Sequence, residues 1–385
     1  MNRRGFLKIA GSTAVILAAG GAGFALTRTP TAAHQPWENA GKQYTDPMKN
    51  ALSYAILAPN PHNRQPWIVD LKSETEAVLT CDLDRLLPTT DPFSRQIVIG
   101  LGCFLEQFSI AAQQDGYRAQ ITYFPDGQDV ERLDTRPIAH IKLVKDASIT
   151  KDPLFAQILD RHTNRNPYDM ARPVSAASLT RIESAAGAKV TTGSTGSGGL
   201  LDELRNLTSD AIVTEMKTPD AGQESVDLMR IGKAEIEANP DGISLGGPLM
   251  DSLALVGAMT RESMADPTSS NFQLGIDMVK TGALASMGFV WINTANNDRI
   301  AQIEAGRAYM RVALQVSAEG LSMQPMSQAL QEYDEMAPFF ETIHTNLLQN
   351  PGERVQMLAR LGYAENVGPS PRWPLETRLK QNQTG

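Results

Sequence analysis

The 385-residue chain has only two cysteines, Cys81 and Cys103, and five histidines. Two cysteines make no disulfide framework. Free cysteine is among the most often buried residue types, so both are read as buried thiols and not as a bridge. No C-x-x-C or H-E-x-x-H spacing occurs, and the scattered histidines give no ligand set of zinc-site spacing, so no metal site is expected. Positive charge is also short: 35 Lys and Arg stand against 43 Asp and Glu, a net charge of -8. That balance argues against nucleic acid or an anionic membrane surface as the main partner, and it means that any local cluster of arginines needs a cause. Disorder is not the default either, because 42% of residues are hydrophobic and 20% charged. The length allows a large core, as one big domain or two smaller ones.

The chain opens NRRGFLK at 2–8, and residues 9–26 carry no charge. Basic residues ahead of an apolar run form the general pattern of an export signal. Arg3 and Arg4, followed by Phe6, Leu7 and Lys8, resemble a twin-arginine (Tat) signal. This resemblance implies passage through the Tat translocon in a folded, cofactor-loaded state. The expected location is periplasmic, or membrane-anchored facing the periplasm. The apolar run is borderline for a span of about 20 residues. Cleavage near the small residues Thr31-Ala32-Ala33 and retention as an anchor therefore both stay open. Residues 1–33 are read as signal or anchor, and 34–45, within a Thr-, Pro- and Ala-rich stretch, as a linker.

In the body, 46–57 reads as a helix that must end before Pro59. Segments 68–71 and 77–83 read as strands paired across Ser-Glu-Thr, and 117–124 and 138–144 as two more. A helix is expected from about Pro153 toward Arg161. The run TGSTGSGG at 192–199 lacks the lysine of a phosphate loop and reads as a connector. Residues 200–238 alternate helix-like faces. Residues 239–272, with Gly, Pro, Met and Ser, read as an irregular insertion or lid. A strand at 289–294 precedes a long helix. Residues 102–116 (GCFLEQFSIAAQQDG) and 306–320 (GRAYMRVALQVSAEG) are both bounded by glycine. Both carry apolar residues at helical spacing, with an acid just before the final glycine. The echo suggests two related halves, 46–150 and 151–380, fused so that they face each other as a pseudo-dimer.

Two stretches carry candidate chemistry. In RHTNRNP at 161–167, an extended backbone puts Arg161, Thr163 and Arg165 on one face. Two guanidiniums around a hydroxyl suit a phosphate; a surface arginine pair balancing Asp160 and Asp169 is the other reading. In APNPHNRQPW at 58–67, Pro59, Pro61 and Pro66 stiffen a run in which Asn60, Asn63 and Gln65 each offer a donor and an acceptor, beside the flat wall of Trp67. Such a loop suits a planar heterocycle with mixed hydrogen-bonding edges. It equally suits a turn whose amides satisfy their own backbone.

Ala58-Pro59-Asn60 with Asn63, Gln65, Pro66 and Trp67 resembles the APS-x-x-N-x-Q-P-W stretch of nitroreductases. Arg161, Thr163 and Arg165 resemble that family's R-x-S-x-R, which holds a flavin phosphate. Glu319-Gly320-Leu321 resembles the passage from the central helix to the loop facing the flavin. PSPRWPLE at 369–376 resembles the C-terminal P-x-R-x-P-L-E stretch, which places Arg372 near the phosphate. Asp84-Arg85, Asp91-Pro92 and Arg95 resemble the single-chain Acg-like branch. The resemblance implies an α+β fold, a nitroreductase-like α/β/α sandwich, with one FMN site per chain built by both halves. It further implies hydride transfer from reduced flavin to a small-molecule oxidant such as a nitro compound or quinone. The electron donor is left open. No side chain is implied as acid or base. Arg161, Thr163, Arg165 and Arg372 would hold the phosphate; Pro59, Asn60, Asn63, Gln65 and Trp67 would frame the ring; Gly320 and Leu321 would present backbone to it. Asn60 and Thr163 stand where the family has serine. In the Acg-like branch some members look adapted to hold flavin under a lid, so flavin sequestration without turnover is the alternative reading.

Overall fold

The computed structural model describes residues 28–348 and 350–380. Helix α1 (Thr31–Asn39) begins in the last three residues of the segment read as signal or anchor, Thr31-Ala32-Ala33, and runs into the stretch expected to be a linker. Helix α2 (Pro47–Ala55) starts where the sequence places it. Asp46 caps it by accepting the Lys49 amide at 2.8 Å, and Pro47 takes a first-turn position where no N–H is needed. Strands β1 (Trp67–Leu71), β2 (Glu76–Cys81), β3 (Tyr117–Tyr123) and β4 (Ala139–Lys145) form an antiparallel sheet in the order β1-β2-β4-β3. On β4, Ala139, Ile141 and Leu143 are buried while His140 and Lys142 are exposed, so one face meets the core and the other meets water. Helix α3 (Arg95–Gln114) connects β2 to β3 and is buried almost all round.

The second half contains α4 (Ala176–Ala185), β5 (Thr191–Thr195), α5 (Gly199–Lys217), α6 (Pro219–Asp227), β6 (Met229–Ile231), α7 (Gly232–Ala238), β7 (Ile243–Leu245), α8 (Pro248–Leu255), α9 (Arg261–Ala265) and α10 (Ser270–Leu284). It continues through β8 (Gly288–Thr294), α11 (Arg299–Ala318), β9 (Ser322–Pro325), α12 (Ala337–Leu347) and β10 (Arg354–Gly362). The second antiparallel sheet runs β5-β8-β10-β9, and β6 pairs in parallel with β7. The run expected as a connector at 192–199 is therefore partly strand, and the helix expected from Pro153 is a short 3-10 turn, Pro153–Gln157. Strand β10 gave no usable signal in the sequence. All its positions but the first are buried, and among its apolar residues it holds two fully buried polar ones, Gln356 and Arg360.

The long helices α3 and α11 pack against each other through glycine. A Cβ on Gly306 would run into the Ile99 carbonyl oxygen, and one on Gly102 into that of Ile303. Absent side chains thus set how closely the two backbones approach. Two further ties matter for the site. Thr163 pairs in parallel with Met323 beside β9, and Leu379 pairs in parallel with Val69, so the end of the described chain returns to the edge of the first sheet. The Lys380 amide donates to Val69 O at 2.8 Å, covering a strand edge that would otherwise be open.

One expectation is corrected. Among the described residues no helix is long and apolar enough to cross a membrane. This corrects the expected localisation, periplasmic or membrane-anchored facing the periplasm, at its second alternative, the membrane anchor. The apolar run at 9–26 and the paired arginines on which the leader reading rested lie outside the described residues.

Candidate functional site

The 58–67 loop has an unusual backbone. His62, Asn63 and Gln65 all have positive φ, at 45°, 52° and 52°. For residues other than glycine this region costs about 1–2 kcal/mol each, so something must hold the loop in shape. Its own amides do. The Gln65 backbone N–H donates to Asn60 Oδ1 at 2.7 Å, and Asn60 Nδ2 donates to the Ala58 carbonyl at 3.1 Å. The Gln65 side chain is fully buried; Nε2 donates to Pro240 O at 2.8 Å and Oε1 accepts the Trp373 N–H at 2.9 Å. Asn63 Nδ2 donates to Pro371 O at 3.0 Å, and its backbone carbonyl accepts the Gly242 N–H at 3.3 Å. A Cβ on Gly100 would lie 3.1 Å from Pro61 Cδ, so the loop rests directly on α3. Trp67 is not at a site edge: it is fully buried on β1, its ring centroid 5.1 Å from that of Phe104, and its Nε1 has no partner among the described residues.

Against this loop lies a group of arginines without acids. Arg372 is almost wholly buried, and every N–H of its guanidinium is engaged. Nε donates to Ile56 O at 2.9 Å, Nη2 to Leu57 O at 3.0 Å and Ala58 O at 3.1 Å, and Nη1 to Asn63 Oδ1 at 2.7 Å and Pro371 O at 2.9 Å. It braces the carbonyls that follow α2 and lead into the loop. Arg161, also buried, donates to the same Leu57 carbonyl at 3.3 Å, and its Nε is buried with no partner among the described residues. Burial pulls Arg372 down to about 9, with the neighbouring Arg161 charge as the second cause, and burial lowers Arg161 as well. His162 is pushed down to about 4 by burial and by Arg161. Trp37 of α1 closes this group from outside. Its ring sits edge-on to His162 at 5.0 Å and 5.4 Å from the Arg372 guanidinium carbon, and its Nε1 donates to Ser370 O at 2.8 Å.

Arg165 has no hydrogen bond and no ion pair among the described residues. Its side chain reaches solvent, yet surrounding protein still pulls its guanidinium below its ordinary value. Between the two arginines, Asn164 turns away: its Nδ2 donates to Ser322 Oγ at 3.1 Å and Glu365 O at 2.8 Å. Arg161 on one side of it is buried, and Arg165 on the other is exposed. The Thr163 bridge to Met323 sets this run beside β9. Just before β9, Gly320 (φ 66°) ends α11; its N–H donates to Ser317 O and that of Leu321 to Val316 O, both in the helix's last turn.

The structure therefore joins Pro59, Asn60, Asn63 and Gln65 to Arg161 and Arg372, and joins Thr163 to the strand that follows Gly320 and Leu321. Trp67 is left in the core. Sequence reasoning missed His62, whose Nε2 lies 3.2 Å from Ser225 Oγ, and Glu215, 3.4 Å beyond that hydroxyl. His62 stood within the quoted motif, but the helices carrying Ser225 and Glu215 gave no local signal. Among the described residues no group of three or more His, Cys, Asp or Glu is arranged to hold a metal.

No family model matches the chain. A Mycobacterium tuberculosis protein provisionally named NAD(P)H nitroreductase is 26% identical over 338 residues, covering 85% of this chain and 88% of the relative. Another from the same organism, acg, provisionally given the same activity, is 32% identical over 124 residues, 32% of this chain and 36% of the relative. The solved FMN-dependent nitroreductase NfnB from Mycobacterium smegmatis, in complex with NADPH, aligns at a TM-score of 0.36 and 15% identity, over 59% of this chain and 96% of that one. Over most of its length the chain is nitroreductase-like in sequence.

Proposed function

We propose that this nitroreductase-like chain binds FMN and works as an FMN-dependent oxidoreductase toward a small oxidant such as a nitro compound or a quinone. The observation that carries the reading is the charge imbalance. In an acidic chain, Arg161, Arg165 and Arg372 gather near one loop without a carboxylate in ion-pair contact with any of them among the described residues. Buried cations such as Arg161 and Arg372 with no acid opposite call for an anion, and the exposed Arg165 adds a further open guanidinium. Arg161, with an unpartnered Nε, and Arg165, with no partner among the described residues, retain free donors for a phosphate; Thr163, between them in sequence, would add its hydroxyl. Arg372 acts through its field and by fixing the 56–58 carbonyls, since its own donors are taken.

Bound FMN supplies the two-electron chemistry, and the chain supplies position and electrostatics. The 59–65 loop, held rigid by its own amides, would present backbone and proline surface to the ring, with Gly320 and Leu321 approaching from β9. Trp67 would support the loop from below. The halves 46–150 and 151–380 are proposed to be related, meeting at α3 and α11, each adding one side of the site. Arg85, Asp91 and Arg95 favour the Acg-like branch as the nearer kinship. The run at 239–272 is proposed to act as a lid.

Flavin sequestration without turnover is the second reading, favoured by one observation. The 240–242 turn is fastened onto the loop by Gln65 and Asn63, and Asp241 accepts from Trp373 Nε1 at 3.2 Å. A cover tied down in this way suits retention of flavin. Titration with FMN and with riboflavin, followed by anaerobic reduction and mixing with a quinone or a nitroaromatic, separates the readings. Fast reoxidation supports the enzyme, and an inert but yellow protein supports the carrier. A protein that binds neither flavin overturns both.

A further inference from the structure

We propose that His62, Ser225 and Glu215 form a proton relay into the candidate site, with the protonation of Glu215 setting which nitrogen of His62 bears the proton. The inference rests on the flavin reading for its chemical use, but the relay itself is a property of the chain.

The geometry is a line of three side chains. His62 sits on the strained loop at φ 45°. Its Nε2 lies 3.2 Å from Ser225 Oγ on α6, and that oxygen lies 3.4 Å from Glu215 Oε1 on α5. Glu215 is buried, and its other oxygen accepts from Gln331 Nε2 at 2.7 Å. At the far end of the line, His62 Nδ1 is buried with no partner among the described residues. A buried ring nitrogen without a partner, close enough to Arg165 to feel its charge, is what a bound molecule at this place would satisfy.

The hydroxyl of Ser225 has one proton and two neighbours, so the line has two settings. With Glu215 ionised, Ser225 donates to it, His62 must carry its proton on Nε2, and Nδ1 offers a lone pair. With Glu215 protonated, its O–H donates to Ser225, Ser225 donates to His62 Nε2, and Nδ1 carries the proton toward the site. Burial, opposed by bonds from Gln331, Ser225 and Gln328 and aided by the nearby Glu224 charge, leaves the Glu215 carboxyl raised to about 7. Tyr333 faces the same carboxylate and is held in its neutral form. His62 itself is pushed down to about 4, by burial and by the charges of Arg165 and Arg64, against Glu224. The switch between settings therefore belongs to Glu215: below pH 7 the proton-bearing setting prevails, and above it the lone-pair setting.

The chemical use follows from charge balance. A quinone that accepts a hydride from reduced flavin gains both electrons of the pair and is left as an oxyanion. It needs one proton to become the hydroquinone. In the protonated setting that proton leaves His62 Nδ1, the Ser225 proton moves to Nε2, and the Glu215 proton moves to Ser225, leaving the carboxylate. The relay moves protons only; the electrons come from the flavin.

The first test uses the chain with no added flavin, labelled with 15N-histidine. In the wild type, the His62 Nδ1 signal should change from protonated to unprotonated type with a midpoint near pH 7. Glu215→Gln should lock one tautomer at every pH, and Ser225→Ala should abolish the transition while leaving the far-ultraviolet circular dichroism unchanged. Absence of the transition in wild type, or its survival in either variant, overturns the relay. The second test uses FMN-loaded, reduced protein mixed with p-benzoquinone. Reoxidation should fall about tenfold per pH unit above 7 in wild type and be flat in Glu215→Gln; the same slope in both overturns proton delivery. Failure to load FMN counts against the cofactor reading alone, because the nitrogen signals are read without it.

Discussion

The loop at 58–67 and the run at 161–165 are both polar and face the same place, yet they solve opposite problems. In the loop, the amide groups of Asn60, Asn63 and Gln65 meet protein partners, and that closure is what sustains three positive-φ residues in four positions. In the run, two guanidiniums keep open donors and have no acid opposite them. A region whose polar groups are satisfied within the fold is a scaffold, whereas one whose donors are left open is a receptor. The residue types alone do not separate the two, since asparagine and arginine serve in either role.

The comparison breaks hardest if the arginines are removed. Each charge-assisted hydrogen bond to an anion is worth about 1.5–3 kcal/mol. Arg165→Ala should weaken FMN binding roughly 10- to 100-fold, and the double change with Arg161→Ala by about a thousandfold, as read by calorimetry. Riboflavin, which lacks the phosphate, should bind the wild type and Arg165→Ala equally. Stability should hardly change in Arg165→Ala, because the side chain has no partner among the described residues to lose. Equal weakening of FMN and riboflavin would remove the phosphate from these residues.

The opposite behaviour is expected in the loop. Gln65→Ala leaves the Pro240 carbonyl and the Trp373 N–H without their partner. Two buried groups losing their bonds cost about 2–4 kcal/mol in total, visible as a drop in the denaturant midpoint at an unchanged slope. Arg165→Ala should thus lose affinity at constant stability, and Gln65→Ala should lose stability first. A Gln65→Ala protein with the wild-type midpoint would mean that the 240–242 turn and the 371–373 segment are held by something else.

How much of this was legible depends on the range of the signal. The first four strands, helix α2 and both long helices lie close to where periodicity and turn residues place them, since those signals are local. Strand β10 was missed because Arg354, Gln356 and Arg360 interrupt its apolar run; Arg360 is buried only because Gln324, Gly282 and Asn166 accept its donors. Arg161 and Arg165 were legible as a pair, but their lack of acids was not, because Asp160 and Asp169 are near in sequence and make no ion pair with them. The amide loop was legible as stiff, and the partners of its amides were not, since Pro240 and Trp373 lie 175 and 308 residues away.

The smallest expected effect gives the finest test of the contrast. Asn60 stands where nitroreductases carry serine, and its Oδ1 receives the Gln65 N–H as a local brace. If the loop is scaffold, what matters at 60 is an acceptor within reach of that N–H. Asn60→Ser keeps an acceptor on a shorter arm and should cost under about 1 kcal/mol, while Asn60→Ala removes it and should cost about 1–2 kcal/mol, the range seen when a side-chain cap is deleted. FMN affinity should follow stability in that order and stay within a few-fold of wild type in the serine variant. A serine variant as stable as wild type that binds FMN tenfold or more weakly would place the Asn60 amide against the ligand itself, and the loop would then be receptor as well as scaffold.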